Sequence, residues 1–314
     1  MDGSASGAQT PTQADARAGD DDPHLARARY YSPSNIFQVK RAPIPRRNFN
    51  EECERARADD TPTGWITLDI AEEIGVETPA TTPLMLARYA KVAPGETLDG
   101  LFEASGEIYY VISGCGTATK AGETLTFAES DVFTLPGGGA TTLRAGDSGA
   151  VLFQVTNEPE LAFHGLPAPE PSKSPTVAAR YPRESWMAEL TSARDINSQD
   201  EGRSGQALHL TSERNGKTDS LHPTIKVAIN SLDPGSRQRP HRHNSVAMTL
   251  PLQSRRVHSV IEGERLDWHP FAMMITPPAE LHEHCNEGDD LMLSLVIQDG
   301  GLYFRCRTIG FSFD

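Results

Sequence analysis

The stretch Pro240-His241-Arg242-His243-Asn244-Ser245, running on as Val246-Ala247-Met248-Thr249-Leu250, decides the reading of this chain. Its alternation is that of a β-strand, in which residues two apart share a face. His241 and His243 therefore point the same way from neighbouring pleats, close enough to hold one metal ion. A third candidate follows in Pro277-Pro278-Ala279-Glu280-Leu281-His282-Glu283-His284. The functional question is whether His282 meets the pair.

Working outward, short alternating segments recur on both sides of a polar middle. In the first half they are Leu84 to Tyr89, Glu107 to Ser113, Gly122 to Phe127 and Asp131 to Pro136. In the second half they are Ile225 to Leu232, Ala247 to Leu252, Val257 to Ile261, Met273 to Thr276, Leu291 to Ile297 and Leu302 to Phe311. Strands this short, punctuated by glycine and proline, predict an all-β sandwich or barrel.

The two halves also match each other. The first carries Ala93-Pro94-Gly95, then Gly122-Glu123-x-Leu125-x-Phe127, then Pro136. The second carries Asp233-Pro234-Gly235, then Gly263-Glu264-x-Leu266-x-Trp268, then Pro277. Glycine to proline is the same step in both, 122 to 136 and 263 to 277. Matched turns at matched spacing indicate a duplicated domain.

The predicted organisation runs in five parts. Residues 1–28 are small, polar and acidic, and are expected to form a disordered tail. Residues 29–62 mix aromatic and basic residues, as an arm packing on a domain or partner subunit would. Barrels follow at 63–160 and 216–314. A proline-rich connection lies between them at 161–215, with a short helix from Pro182 that places Trp186, Met187 and Leu190 on one face.

Composition narrows the partners. The chain has 314 residues, with 43 acidic against 29 basic, a net charge of −14. Such a balance disfavours nucleic acid and anionic membranes as partners. No apolar run reaches membrane-spanning length. The four cysteines are scattered with no C-x-x-C pair, which suggests neither a zinc knuckle nor a redox motif. The opening residues lack a secretory pattern, so a cytoplasmic setting is expected.

Both halves resemble cupins, small antiparallel jelly rolls. The cupin signature is G(x)5HxH(x)3-4E(x)6G, then G(x)5PxG(x)2H(x)3N. The second half supplies Gly235, five residues, His241-x-His243, and then Pro277-x-Ala279-x-x-His282-x-x-x-Asn286. It departs at Phe271 and Ala279, where the signature has glycines, and it has no glutamate at the expected place after His243. The first half keeps Glu107 at the glutamate position but has Leu101, Glu103 and Thr141 at the histidine positions. It is read as metal-free and structural.

Three neutral imidazoles, His241, His243 and His282, suit iron, zinc, copper or nickel. With no carboxylate among them the full divalent charge stays on the metal, and open positions remain for substrate. The His-Arg-His strand and the Pro-Pro-x-x-x-His-x-His-x-Asn stretch resemble the gentisate 1,2-dioxygenase group, which includes salicylate and 1-hydroxy-2-naphthoate dioxygenases. That resemblance implies Fe(II), dioxygen and a small hydroxylated aromatic acid, with ring cleavage between the carboxyl-bearing and hydroxyl-bearing carbons. In many gentisate dioxygenases the first cupin holds the working iron, whereas here only the second has the ligands.

Around the metal, His284 is the expected catalytic residue, orienting oxygen or moving a proton. Ser245, Gln238, Arg239, Arg256 and His258 are the expected substrate-binding residues, with a structural role open for His258. Trp268 and Phe271 are read as barrel packing, with a place in the pocket wall as the alternative. A homodimer or homotetramer is expected. The rival functions are a redox-neutral metal-dependent isomerase, lyase or decarboxylase, and a non-catalytic small-molecule-binding cupin.

Overall fold

A computed structural model of the chain describes residues 23–29, 41–197, 206–215 and 220–314. The first unit, Met1–Ala42, has one described element, an exposed helix at Pro23–Arg27. That helix lies inside the stretch expected to be a disordered tail; residues 1–22 of that stretch, and 30–40 of the expected arm, lie outside the described residues.

In the unit Pro43–Asp314 nineteen strands occur among the described residues. Nine precede the connection's helix. They are β1 (Arg47–Asn48), β2 (Gly64–Thr67), β3 (Leu86–Val92), β4 (Thr97–Leu101), β5 (Gly106–Lys120), β6 (Glu123–Ala128), β7 (Val132–Pro136), β8 (Ala140–Thr156) and β9 (Ala179–Tyr181). Ten follow: β10 (Gln206–Leu210), β11 (Lys226–Leu232), β12 (His241–His243), β13 (Ala247–Gln253), β14 (Val257–Ile261), β15 (Glu264–Asp267), β16 (Met274–Thr276), β17 (His282–Asn286), β18 (Met292–Gln298) and β19 (Phe311–Phe313). Every strand pair is antiparallel.

The second half is a two-sheet jelly roll. One sheet has the order β1-β16-β13-β18-β11-β10 and the other β15-β14-β17-β12-β19. In the first half the corresponding strands form one continuous sheet, because β5 and β8 run unbroken around the corner. Their pairing slips at Val111/Ser113 and Gly114/Gly116. A Cβ on Gly114, which has φ +81°, would lie 2.0 Å from the Gly149 carbonyl oxygen, so only glycine lets the two strands bend together there.

The segments flanking the barrels are built into them. From the arm, β1 joins the edge of the second half's sheet beside β16. From the connection, β9 pairs with β7 of the first half and β10 with β11 of the second. The connection's helix is Arg183–Asn197, with Trp186 and Leu190 buried and the Trp186 indole donating to the Ser130 carbonyl at 3.0 Å. A shared core takes in Tyr89, Ile108 and Phe153 from one half and Val227, Met248 and Ile275 from the other. The Tyr89 hydroxyl donates to the Phe271 carbonyl at 2.6 Å and accepts from the Met273 amide at 3.0 Å.

One expected strand is different. Leu302 to Phe311 forms a helix at Gly300–Cys306 and only then β19. The continuous apolar and aromatic run Leu302-Tyr303-Phe304 suits a strand locally. Tertiary contact overrides it: a Cβ on Gly301 would lie 2.7 Å from the Thr224 carbonyl carbon, and the close approach of these backbones turns the chain away from the sheet.

Asn286 closes the turn that leads from β17 to β18. Its side-chain amide donates to the carbonyls of Leu232 (3.0 Å), Asp233 (3.1 Å) and Asp290 (2.9 Å), and its oxygen accepts from the Gly288 amide at 3.0 Å. Replacing Asn286 with alanine strands several buried backbone groups at once. A loss of about 3 kcal/mol is expected, read as a lowered melting temperature; a shift within error would remove this turn from the list of stabilising features.

Candidate metal centre

The three histidines converge because two strands set them side by side. On β12, His241 and His243 share a face, and His241 is the direct cross-strand partner of His282 on β17. The His282 ring centroid is 4.3 Å from that of His241 and 4.6 Å from that of His243. One nitrogen from each ring lies within 4.8 Å of the others, and all three residues are buried. No Asp, Glu or Cys joins this cluster among the described residues.

Each ring is aimed by a backbone carbonyl two residues away. Nδ1 of His241 donates to Arg239 O (3.0 Å), Nδ1 of His243 to Ser245 O (2.8 Å) and Nδ1 of His282 to Glu280 O (2.9 Å). A carbonyl can only accept, so each Nδ1 carries the proton and each Nε2 presents a lone pair. The His243 lone pair faces the Gln298 amide nitrogen at 3.2 Å. Burial holds all three below the usual imidazole range, His243 at about 4 and His282 at about 2, the latter also through the neighbouring histidines. They are neutral ligands at pH 7. Donor type, tautomer and spacing thus fit a transition metal.

The cluster lines a cavity of about 280 Å³ in the second barrel. His284, two residues beyond His282, is on the same face and lines the cavity too. Its Nδ1 is 2.9 Å from the Ser259 hydroxyl, which also accepts from the Trp268 indole at 2.7 Å. Trp268 therefore packs inside the barrel, edge-on to His284 with centroids 5.1 Å apart. Burial lowers His284 to about 3.

Of the expected substrate residues, two are at the cavity. Ser245 is buried there, its carbonyl aiming His243. Gln238 is buried there with its side-chain oxygen unpartnered, while its backbone N–H donates to the His284 carbonyl at 2.9 Å.

The other three are elsewhere. Arg239 is exposed, lies over the Phe313 ring at 4.6 Å and donates to the Asp314 carbonyl. Arg256 is exposed in the turn between β13 and β14 with φ +59°. Both precede or follow strands, where alternation no longer fixes direction. His258 is directly opposite Cys285 on β17, the residue between two inward positions, so it faces the outside of the barrel with Arg237 and Glu287.

Sequence reasoning missed several cavity residues. Lys226 and Asn230 share one face of β11, and Lys226 lies 3.4 Å from the Phe304 ring centroid. A lysine followed directly by the apolar run Val227-Ala228-Ile229 was a legible signal. Gln298, the cross-strand partner of Lys226, and Phe311, stacked on His241 with centroids 5.2 Å apart, were not legible.

No protein-family model matches the chain. Among curated proteins it is 28% identical over 85 residues to a gentisate 1,2-dioxygenase of Haloferax sp, covering 27% of this chain and 24% of the relative. It is 33% identical over 86 residues to a 5-aminosalicylate 1,2-dioxygenase of Comamonas sp, covering 27% and 23%. The chain thus matches about a quarter of the length of these relatives. Among solved structures it superposes on the salicylate 1,2-dioxygenase of Pseudaminobacter salicylatoxidans with a TM-score of 0.71 and 13% identity, over 88% of this chain and 89% of that one. It matches that enzyme's adduct with gentisate equally, at 0.71 and 12% identity over 94% and 95%. The fold is that of this two-cupin enzyme.

Proposed function

We propose that this chain, a gentisate/salicylate 1,2-dioxygenase-like bicupin, is an Fe(II)-dependent dioxygenase that opens the ring of a hydroxylated aromatic carboxylic acid. The observation that carries the reading is the all-imidazole cluster of His241, His243 and His282 on the wall of an internal cavity. The names of the two curated relatives and the gentisate adduct of the structural neighbour support the same substrate class.

Fe(II) in this cluster would supply an undiminished double charge that a hydroxy acid chelates and a centre at which dioxygen reacts. The chain's own residues do the rest. Lys226 is the Lys/Arg cation lining the cavity among the described residues, and its ammonium is suited to the substrate carboxylate. Phe304 and Phe311 give the ring apolar walls. His284 faces the cavity as the group that hydrogen-bonds or moves a proton at a substrate oxygen. In the overall reaction both atoms of dioxygen enter the product as the bond between the carboxyl-bearing and hydroxyl-bearing carbons breaks.

Anaerobic loading with Fe(II), followed by gentisate, salicylate and 5-aminosalicylate, tests this. One dioxygen consumed per acid, with ring-cleavage absorbance, is expected for at least one of them. Tight zinc retention with no oxygen uptake from the iron-loaded protein would sink the proposal in favour of redox-neutral chemistry. Lys226→Met is expected to raise KM roughly 10- to 100-fold, the range of a charged hydrogen bond worth about 1.5–3 kcal/mol. An unchanged KM would remove Lys226 from the site.

A further inference from the structure

Of the histidines that line the cavity, the four on β12 and β17 divide three to one by their hydrogen bonds. His241, His243 and His282 each send Nδ1 to a carbonyl oxygen. The Nδ1 of His284 meets a hydroxyl instead, Ser259 Oγ at 2.9 Å. A hydroxyl can donate or accept, so Ser259's other partner decides the direction.

That partner is the Trp268 indole, 2.7 Å from the same oxygen. An indole N–H only donates. Ser259 thus already accepts one hydrogen bond, and its own proton needs an acceptor inside a fully buried site. Its remaining partner among the described residues is Nδ1 of His284. The run of donation is Trp268 to Ser259 to His284, which leaves the His284 proton on Nε2. The strand register supports the arrangement: Ser259 is the direct cross-strand partner of His284, and both point into the barrel.

We propose that Ser259 and Trp268 are positioning residues that lock His284 in the Nε2–H tautomer, opposite to that of the three metal-site histidines. Its ring then donates a hydrogen bond into the cavity and does not offer a fourth ligand. A fixed donor facing the cavity stabilises negative charge on a substrate oxygen without reorganising. That last role rests on the dioxygenase reading; the tautomer does not.

The test is long-range proton–nitrogen correlation NMR on the metal-free full chain labelled with nitrogen-15 histidine, at a pH where the imidazoles are neutral. The His284 signals are identified by their loss in His284→Gln. Expected are a protonated-type Nε2 and a bare-type Nδ1 for His284, and the reverse for His241, His243 and His282. In Ser259→Ala the Nε2–H preference falls roughly tenfold, the order of one hydrogen bond; Ser259→Thr, which keeps the hydroxyl, keeps the wild-type pattern. A protonated Nδ1 on His284 in the wild-type chain overturns the proposal, and so does an unchanged pattern in Ser259→Ala. If the tautomers are as stated but no acid in the panel is opened, the dioxygenase reading fails and the relay stands.

Discussion

Replacing His282 with alanine is expected to abolish both Fe(II) retention and ring opening. His282 is the residue that completes the cluster, with ring neighbours at 4.3 and 4.6 Å and a backbone pairing to His241. Without it two donors remain on β12. Loss of an outer partner of a metal ligand already costs about 10- to 100-fold in affinity, so loss of the ligand itself should exceed about 100-fold. The control is on the same sheet: His258→Ala removes a histidine from the barrel's outer face and should leave iron content unchanged. Metal analysis after dialysis, with oxygen uptake on the same samples, checks both. Stoichiometric iron in His282→Ala would end the three-histidine reading.

The second large effect is in the barrel whose ligand positions are eroded. There the Glu107 carboxylate, fully buried, is paired with the Lys120 ammonium. Lys120 also donates to Thr141 Oγ at 2.9 Å and to the Gly139 carbonyl at 3.1 Å, and Thr141 donates to Glu107. Glu107 and Thr141 occupy the carboxylate and third-histidine positions of the repeat, so a lysine supplies the positive charge between them. Lys120→Met leaves Glu107 buried and uncompensated, and is expected to destabilise the chain by about 3–5 kcal/mol. The double variant Lys120→Met/Glu107→Gln should recover most of that loss.

The pH dependence has a definite sign. Burial already holds Glu107 above the usual carboxylate range, with Lys120 opposing the shift. Removing Lys120 raises Glu107 further, so the folded chain binds a proton that the unfolded chain releases. Stability is then present below the unfolded carboxylate pKa and is lost as pH rises through the folded value. The penalty should therefore be smaller near pH 5 than near pH 8 in denaturant melts. A penalty that grew toward acid pH would contradict a buried, ionised Glu107.

Much of the site was legible before the fold. A period of two is a local property, so His241 with His243, and His282 with His284, had to share faces once those segments were strands. The matched Pro-Gly and Gly-Glu-x-Leu-x-aromatic turns made the two halves visible as copies. The same parity argument failed where its condition failed. Arg239 and Arg256 are outside strands and turn to solvent, and the register of β14 against β17 sends His258 outward while Ser259 faces in.

The strand alternation by itself settled which neighbours on one segment point together, and the repeat settled that two barrels were present. Tertiary structure decided what meets at the site: Lys226 on the cavity wall, Gln298 against His243, Ser259 and Trp268 behind His284, and the Phe311 strand clipped onto β12. Those partners come from segments distant in the chain, and their pairing is set by sheet order and register, which the packing of the whole domain selects.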